Sequence, residues 1–303
     1  MARTIAPIEE RRTAGIGIML FAQLFFTVLD TSAKYLAVSG MPTAQIVFVR
    51  YAVHVVLAIA IFWPIQRDLF RTNSWRLELL RGLTLLGVTV TNFFAMRFLP
   101  LTVTGAILFT SPLMVVALSV PLLGEKVGWR RWIAVGAGFI GTLIIIRPGT
   151  DAFHPASLVA LCGALLAAFY TILTRKLAGV DSPATQQVYS GLIAVVCIAP
   201  FAFTGWVWPT EGGAWFAFAV IGLVGMLAHQ FNSISLRLAA PSVLAPFSYF
   251  ELILVAIASW LIFSEPPDMW FYLGAPFIIG SGLFIWLRER RQGAATAITE
   301  VVD

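Results

Sequence analysis

Long uninterrupted stretches of apolar residues, separated by short polar connections, dominate the chain. Each stretch is close to the length of about 20 residues that an α-helix needs to cross a bilayer. A membrane-spanning β-barrel would alternate apolar and polar residues, so the pattern predicts helices. We therefore predict an all-α integral membrane protein with ten transmembrane helices. The ten stretches cover residues 15–36, 43–64, 77–96, 101–123, 129–146, 155–174, 184–207, 214–236, 241–263 and 269–287.

The polar residues before the first stretch do not make it a signal peptide. The stretch is too long for a signal-peptide core, and no small-residue cleavage pattern follows it, so we expect a retained first helix. Glycine and proline mark the later connections, as in Ser39-Gly40-Met41-Pro42 and Arg147-Pro148-Gly149.

The distribution of positive charge predicts the orientation. Ten spans place both termini on one side, and membrane proteins concentrate Lys and Arg in cytoplasmic segments. With cytoplasmic termini, the outer connections hold only Arg97 and Arg147, with Lys34 at a helix end. We therefore expect a multi-pass protein of the cytoplasmic (inner) membrane with both termini inside. The inner segments hold fifteen basic residues: Arg3, Arg11, Arg12, Arg67, Arg71, Arg76, Lys126, Arg130, Arg131, Arg175, Lys176, Arg237, Arg288, Arg290 and Arg291.

The second half of the chain repeats the first at an offset of about 140 residues, a shift close to half of the 303-residue chain. Asn92 then meets Asn232, Lys34 meets Arg175, and Leu123-Gly124-Glu125 meets Phe263-Ser264-Glu265. Because each half has five spans, the second half enters the membrane from the opposite side. Such inverted repeats are typical of secondary transporters, whose site lies between the halves. We predict repeats at 15–149 and 150–288, with cytoplasmic tails at 1–14 and 289–303.

Composition excludes several other classes of protein. Hydrophobic residues make up 59% of the chain and charged residues only 12%, whereas soluble domains are about one quarter charged. The basic excess follows from the loop charges, so no nucleic-acid partner is predicted. Cys162 and Cys197 lie within apolar stretches, which makes a disulfide framework improbable. We expect no cofactor and no metal.

An ordered set of short motifs resembles the drug/metabolite transporter superfamily, EamA type. They include Leu80-Arg81-Gly82, Ala95-Met96-Arg97-Phe98-Leu99-Pro100-Leu101-Thr102, Thr110-Ser111-Pro112-Leu113 and Leu122-Leu123-Gly124-Glu125-Lys126. Within the family, Asp30-Thr31-Ser32-Ala33-Lys34-Tyr35-Leu36 and Tyr249-Phe250-Glu251-Leu252 look most similar to S-adenosylmethionine uptake carriers, with bacterial riboflavin carriers nearby. The resemblance implies a ten-helix carrier of a small metabolite.

Asp30 and Glu251 are the carboxylates farthest from any connection. Keeping an ionisable group at this depth costs roughly 2.5–3.5 kcal/mol, so it usually faces a cavity or a partner. Either residue is a candidate to bind a cationic substrate or to carry a proton. For Asp30 the alternative is a structural pair with Lys34, four residues on. Glu251 is placed near the middle of the ninth helix, with no cation within four residues.

Arg50 and His54 are one helical turn apart, on the same face of the second helix. Arg50 is a candidate to bind a substrate carboxylate or phosphate, and the alternative is an ion pair with Asp30. His54 and His229 are candidates for the site, against the alternative of purely structural hydrogen bonding.

Two amides and two tyrosines complete the candidate substrate-binding residues. Asn92 and Asn232 occupy equivalent positions in the repeats, and the alternative role is interhelical hydrogen bonding. Tyr170 and Tyr249 offer aromatic faces for a planar or cationic ligand.

Proline and glycine in the fourth and ninth stretches predict interrupted helices at corresponding positions. They are Gly105 and Pro112 in one stretch and Pro246 in the other, a pattern that points to a transporter's binding region. The G-x-G-x-x-G match at residues 136–141 follows no strand, so we interpret it as close helix packing. Glu125 and Glu265 are predicted to cap the helices that follow them.

Three classes of function compete at this stage, namely a carrier, a membrane enzyme and a channel. We favour a secondary transporter that moves an amphipathic or cationic metabolite, similar to S-adenosylmethionine or an amino acid, by alternating access. The alternatives are an exporter of amino acids or drug-like metabolites and a riboflavin carrier. A membrane enzyme is disfavoured because no nucleophile–base pair or metal motif occurs, and a channel because no continuous polar stripe occurs. The expected partners are the metabolite, the lipid bilayer and a coupling proton or exchanged solute; a homodimer is left open.

Overall fold

A computed structural model gives the architecture of the protein. It describes residues 12–123, 128–177, 180–238, 244 and 247–302. The described helices are α1 (Arg12–Val38), α2 (Thr43–Phe62), α3 (Trp75–Ala95), α4 (Leu101–Leu108), α5 (Ser111–Leu123), α6 (Trp129–Ile146), α7 (Ala156–Leu177), α8 (Pro183–Thr204), α9 (Gly212–Leu238), α10 (Phe250–Phe263) and α11 (Met269–Val302).

The helices confirm a multi-span membrane protein. Seven apolar helical segments within the described residues are long enough to cross a bilayer. Three shorter apolar helices, Trp132–Ile146, Phe250–Phe263 and Met269–Ile285, correspond to the predicted fifth, ninth and tenth spans. The predicted count of ten full-length spans is therefore not reproduced. α6 itself (Trp129–Ile146) has the bounds that the sequence predicted for the fifth span.

The predicted fourth span, 101–123, consists of two helices rather than one. The amide N–H of Thr110 donates to the carbonyl oxygen of Ile107 at 3.0 Å, which tightens the end of α4. Pro112 has no N–H to continue the ladder, so α5 starts afresh at Ser111. The interruption predicted in the fourth stretch is thus present, whereas Pro246 of the ninth stretch lies outside the described residues.

The last helix is longer than its apolar stretch. α11 continues to Val302, although the sequence predicted a span ending at residue 287 and a tail from residue 289. Hydrophobic periodicity marks only the part of a helix that faces lipid or core. The charged residues that follow are good helix formers, so the helix extends beyond the apolar part.

Helix packing relates the two halves of the chain. The 140-residue offset makes α1, α2, α3, α5 and α6 equivalent to α7, α8, α9, α10 and α11. α1 packs on α9 as α7 packs on α3, and α5 packs on α7 as α10 packs on α1. The equivalent helices α2 and α8 pack on each other, as do α6 and α11. The interface between the halves is therefore built from corresponding helices of both.

Glycines bring α6 and α11 into close contact. A Cβ atom added at Gly141 would lie 2.6 Å from the carbonyl oxygen of Gly274, and one added at Gly274 would lie 2.5 Å from that of Gly141. A Cβ at Gly138 would overlap the Leu113 side chain and lie 2.6 Å from Ser281 Oγ. The glycine motif at 136–141 therefore serves helix packing, as the sequence predicted, because only glycine permits this approach.

Gly141→Ala is expected to destabilise the protein by about 1–3 kcal/mol, because the backbone of α11 must move away from the new methyl group. Gly136→Ala is the matched control, since nothing lies within 4 Å of a Cβ at that position. Thermal unfolding of the two variants in detergent tests the prediction. Equal stabilities would show that the crossing tolerates a methyl group.

Candidate functional site

A cluster of polar side chains, called here the central cluster, lies where the two halves meet. Three helices of the first half and two of the second contribute to it, and the contacts of His229 with Arg50 and His54 cross that interface. Its members are Asp30 of α1, Arg50 and His54 of α2, Thr89 of α3, His229 of α9 and Glu251 of α10.

Arg50 is the centre of this arrangement and is almost fully buried. Its Nη1 donates to Thr89 Oγ1 at 2.6 Å, and its Nη2 lies 3.3 Å from His229 Nε2. The guanidinium carbon lies 4.5 Å from the ring centroid of Tyr51 and 5.5 Å from that of Phe93. Arg50 Nε is buried and has no hydrogen-bond partner among the described residues. An unsatisfied buried donor costs about 1–3 kcal/mol, so a ligand acceptor would relieve a real penalty here.

The two histidines come from opposite halves of the protein. The ring centroids of His54 and His229 are 6.4 Å apart, and the Phe26 ring lies perpendicular to that of His229 with a centroid distance of 5.1 Å. His54 Nε2 is buried without a hydrogen-bond partner in the part of the chain that the structure describes. The two histidines, both candidates from the sequence, therefore lie on one side of the central cluster.

Asp30 and Glu251 both belong to the central cluster and are half-buried. Asp30 lies within electrostatic range of Arg50, and Glu251 lies within electrostatic range of Asp30. Within the described residues, Arg50 makes its hydrogen bonds to Thr89 and His229 rather than to either carboxylate. The direct Asp30–Arg50 ion pair considered from sequence is therefore absent.

Glu251 occupies a different position from the one predicted. It lies in the first turn of α10, after a turn at Tyr249, rather than in the middle of a continuous ninth helix. The N-terminal turn of a helix carries partial positive charge, which favours a carboxylate. The start of α10 thus stabilises the Glu251 carboxylate in part, although the sequence places no basic residue within four positions of it.

Lys34 does not pair with Asp30, contrary to the structural alternative drawn from their spacing. Lys34 Nζ donates to the carbonyl oxygen of Leu99 at 3.2 Å and forms an ion pair with Glu265. The lysine is fully buried and lies one turn beyond Asp30 along α1. The long Lys34 side chain reaches Leu99 and Glu265, which lie in the connections between helices. The Asp30 carboxylate therefore belongs to the central cluster rather than to a pair with Lys34.

The prediction that Glu265 caps the next helix is wrong. Glu265 binds Lys34, and Asp268 caps α11 by accepting a hydrogen bond from the Phe271 amide N–H at 2.8 Å. Asp268 stands directly before the first residue of α11, which is the preferred place for a capping carboxylate. Glu125, the equivalent residue in the first half, lies outside the described residues.

A second polar network surrounds Arg81, which the sequence had indicated only as part of a family motif. Its Nη1 donates to Ser190 Oγ at 2.5 Å and to the Gln186 carbonyl oxygen at 2.9 Å. Its Nε donates to Thr174 Oγ1 at 2.9 Å. Arg81 thereby joins α3 of the first half to α7 and α8 of the second. A charged residue two turns into an apolar span was the available sequence signal.

Tyr170 belongs to this second network and not to the central cluster. Its hydroxyl accepts a hydrogen bond from Arg81 Nη2 at 2.8 Å, and the guanidinium carbon lies 4.8 Å from its ring centroid. Arg81 is also within electrostatic range of His54 and His229. The two networks therefore lie at the same interface between the halves.

The other predicted residues are more dispersed. Tyr249 packs in an apolar cluster, 5.5 Å from Phe109 between ring centroids, with its hydroxyl against Gly282. Asn92 is buried on α3, and Asn232 is half-buried on α9, so they lie on equivalent helices. The structure thus groups Asp30, Arg50, His54 and Glu251 and separates Tyr170 and Tyr249 from them.

Chemically, the central cluster offers one guanidinium, two carboxylates and two imidazoles beside aromatic rings. No group of three or more His, Cys, Asp or Glu side chains suited to a metal occurs in the described parts of the chain. The arrangement can bind an anionic group at Arg50 and a cationic group or a proton at the carboxylates. A helical membrane protein with such a site between two corresponding halves has the architecture of a transporter.

Comparison with known proteins identifies the family. The model of the EamA-like transporter family matches the chain twice, at residues 13–147 and 154–287. The chain therefore belongs to the EamA-like transporter family and is a transporter of small metabolites. The resemblance inferred from the sequence motifs is confirmed.

Curated relatives align over nearly their whole length. A riboflavin transporter of Vibrio cholerae is 32% identical over 90% of this chain and 93% of its own. An S-adenosylmethionine uptake transporter of Rickettsia felis is 28% identical over 91% and 94% of the two chains. The pseudopaline exporter CntI of Pseudomonas aeruginosa is 24% identical over 88% and 93%. One solved crystal structure, 18% identical, superimposes with a TM-score of 0.65 over 92% and 99% of the chains, which shows a shared fold.

Proposed function

We propose that this protein is a secondary transporter whose substrate binds at the central cluster between the two halves. The observation that carries the proposal is the buried guanidinium of Arg50, whose Nε has no partner among the described residues and which lies within electrostatic range of the Asp30 carboxylate. Ionisable groups are retained inside membranes chiefly where they face a substrate or ion pathway. Asp30, Arg50, His54 and Glu251 are the proposed contact residues, and Asn92 and Asn232 are further candidates on equivalent helices.

The charges favour an amphipathic cationic or amino-acid-like solute. Arg50 suits a carboxylate, and Asp30 with Glu251 suits an ammonium or sulfonium group. With both carboxylates ionised the cluster has one more negative than positive charge, which a solute of net positive charge or a proton would balance. These charges suit the solute named for the Rickettsia felis relative, S-adenosylmethionine, better than they suit a neutral flavin.

Two alternatives differ in direction and in solute. An exporter of amino acids or drug-like metabolites would use the same charges, as the name of the Pseudomonas aeruginosa relative illustrates. A riboflavin carrier is favoured by the similarity to the Vibrio cholerae relative, and it would depend on aromatic surfaces rather than on Arg50. Tyr170 and Tyr249 are occupied by Arg81 and by apolar packing, which weighs against their role as flavin platforms.

The proposed mechanism is alternating access. In the proposed topology α1 and α3 run in the same direction, so Lys34 lies beyond Asp30 towards one surface and Arg81 lies before Thr89 towards the other. Lys34 ties α1 to Glu265, and Arg81 ties α3 to α7 and α8. Breaking these two sets of contacts in turn would open the central cluster to one side at a time. The energy source would be an ion gradient or solute exchange.

A binding screen followed by counterflow tests the proposal. Thermal shifts of the purified protein are measured with amino acids, nucleosides, flavins and sulfonium compounds, because a binder stabilises the folded state by mass action. The stabilising solute is then used in reconstituted vesicles. Saturable counterflow supports a carrier. Large unsaturable flux would indicate a channel, product formation an enzyme, and a response to flavins alone the riboflavin alternative.

The proposed orientation places both termini in the cytoplasm of a cell with this protein in its inner membrane. A cysteine at Gly212, where nothing lies within 4 Å of a Cβ, is expected to react with an impermeant maleimide in intact cells. A cysteine at Gly293 is expected to react only after permeabilisation, because positive charge remains inside. Both are made after replacing Cys162 and Cys197. The opposite labelling pattern would reverse the topology.

A further inference from the structure

A cavity of about 940 Å³ lies between α6 and α11, away from the central cluster. Its walls include Ile133, Phe277 and Leu287, all exposed at the surface of the helix pair. The walls contain two polar side chains, Arg130 and Ser281. The Ser281 hydroxyl donates to the Ile278 carbonyl oxygen of its own helix at 2.8 Å. The cavity is therefore an apolar groove with a single charged group.

The charged group lies at one end of the groove. α6 begins at Trp129, so Trp129 and Arg130 stand at the end of a transmembrane helix, where tryptophan marks the membrane–water interface. The Arg130 guanidinium carbon lies 5.4 Å from the ring centroid of Trp129. Positive charge thus borders the mouth of an apolar groove.

We infer that this groove binds one anionic phospholipid, with the headgroup phosphate on Arg130 and an acyl chain between α6 and α11. The occupant must be apolar along most of its length and anionic at one end. Anionic headgroups bind to basic pockets between transmembrane helices at the cytoplasmic surface. A soluble metabolite would leave the apolar walls unmatched, and a second protein copy would leave Arg130 without a counter-charge.

The chain offers matched variants for both halves of this site. Arg130→Gln removes the charge, and Arg76→Gln is its control, because Arg76 stacks on Trp75 at the start of α3 at 5.5 Å but does not line the groove. Gly280→Leu fills the groove at a position with nothing within 4 Å of a Cβ. Gly136→Leu is its control, since that position on α6 is equally open and lies outside the lining.

The test is native mass spectrometry of the purified, delipidated full chain titrated with phosphatidylglycerol or phosphatidylcholine. The protein is expected to bind one phosphatidylglycerol more tightly than phosphatidylcholine. Arg130→Gln should weaken phosphatidylglycerol binding about fivefold, the effect of one basic residue near a lipid surface. Gly280→Leu should weaken binding of both lipids, and the two control variants should bind as the parent protein does.

Three results would overturn the inference. Equal phosphatidylglycerol affinity in all four variants would show ordinary annular lipid. Loss of a dimer on Gly280→Leu, with lipid binding unchanged, would make the groove a protein interface. Loss of thermal stabilisation by the transported solute on Gly280→Leu, again with lipid binding unchanged, would make it a solute site.

Discussion

Replacing Glu251 by glutamine is expected to abolish proton-dependent or cation-specific transport while the protein still folds and inserts. The substitution preserves the shape of the side chain and removes its charge. In the structure Glu251 lies in the first turn of α10, within electrostatic range of Asp30. Two neighbouring carboxylates repel each other unless a cation or a proton neutralises part of their charge. Glutamine at position 251 carries no charge, so it no longer needs such a cation or proton.

Folding should survive because a neutral amide is cheaper to bury than a carboxylate. Counterflow is measured at equal expression from about pH 5.5 to about pH 8, because a proton-dependent transport step changes in rate with pH. Glu211→Gln is the matched control, since Glu211 is an exposed carboxylate before α9. Asp30→Asn shows whether the second carboxylate shares the role.

The decisive comparison is between Glu251→Gln and the parent protein. If the variant keeps the parent's rate, affinity and pH dependence, Glu251 has a structural role in α10. The proposal would then retain only Asp30 and Arg50 as charged contacts.

Arg50→Lys is expected to lower the affinity for a carboxylate-bearing solute by about 10- to 100-fold, the range for losing a hydrogen bond to a charged group. Lysine keeps the charge but cannot reproduce the planar group that lies over Tyr51 and Phe93. It also loses the fixed Nη1 bond to Thr89 and the buried Nε donor. Arginine and lysine are not equivalent where such planar geometry sets recognition.

The measurement compares solute affinities of Arg50→Lys and the parent protein, using the solute identified in the screen and its methyl ester. The ester lacks the anionic oxygen pair, so its affinity should change little between the two proteins. Arg97→Lys is the control, because Arg97 donates to the Met41 carbonyl oxygen outside the central cluster. An equal loss for acid and ester would show that Arg50 shapes the site without binding the carboxylate.

Much of the architecture was predictable because the bilayer imposes it. A span must be apolar over its length and must satisfy its own backbone hydrogen bonds, so the number and type of apolar stretches appear directly in the sequence. The glycine motif of α6 was also informative. Because no strand precedes it, the sequence predicted that it serves helix packing, and Gly141 and Gly274 pack closely in the structure. The interruption before Pro112 was likewise encoded by the missing N–H.

The partners of the charged side chains were less predictable. Sequence spacing offered Lys34 as an alternative partner for Asp30, yet Lys34 binds Glu265, 231 residues away. Arg50 could be paired on paper with Asp30, whereas its bonds go to Thr89 and toward His229 on two other helices. The spacing of residues along the sequence predicts contacts within one helix. A long flexible side chain, however, can bind a residue of another helix that lies at the same depth in the membrane.

The sequence by itself determined that this is a helical membrane protein, that its halves correspond and that Asp30, Arg50, His54 and Glu251 are unusual. Those properties follow from hydrophobicity, charge and offset, which are functions of position along the chain. Only the tertiary structure decided that these four residues belong to one cluster, that Tyr170 binds Arg81 and that Glu251 lies in the first turn of a helix rather than near the middle of one. Those contacts depend on packing between helices that are far apart in the sequence. A local sequence pattern does not specify which faces of two such helices will pack together.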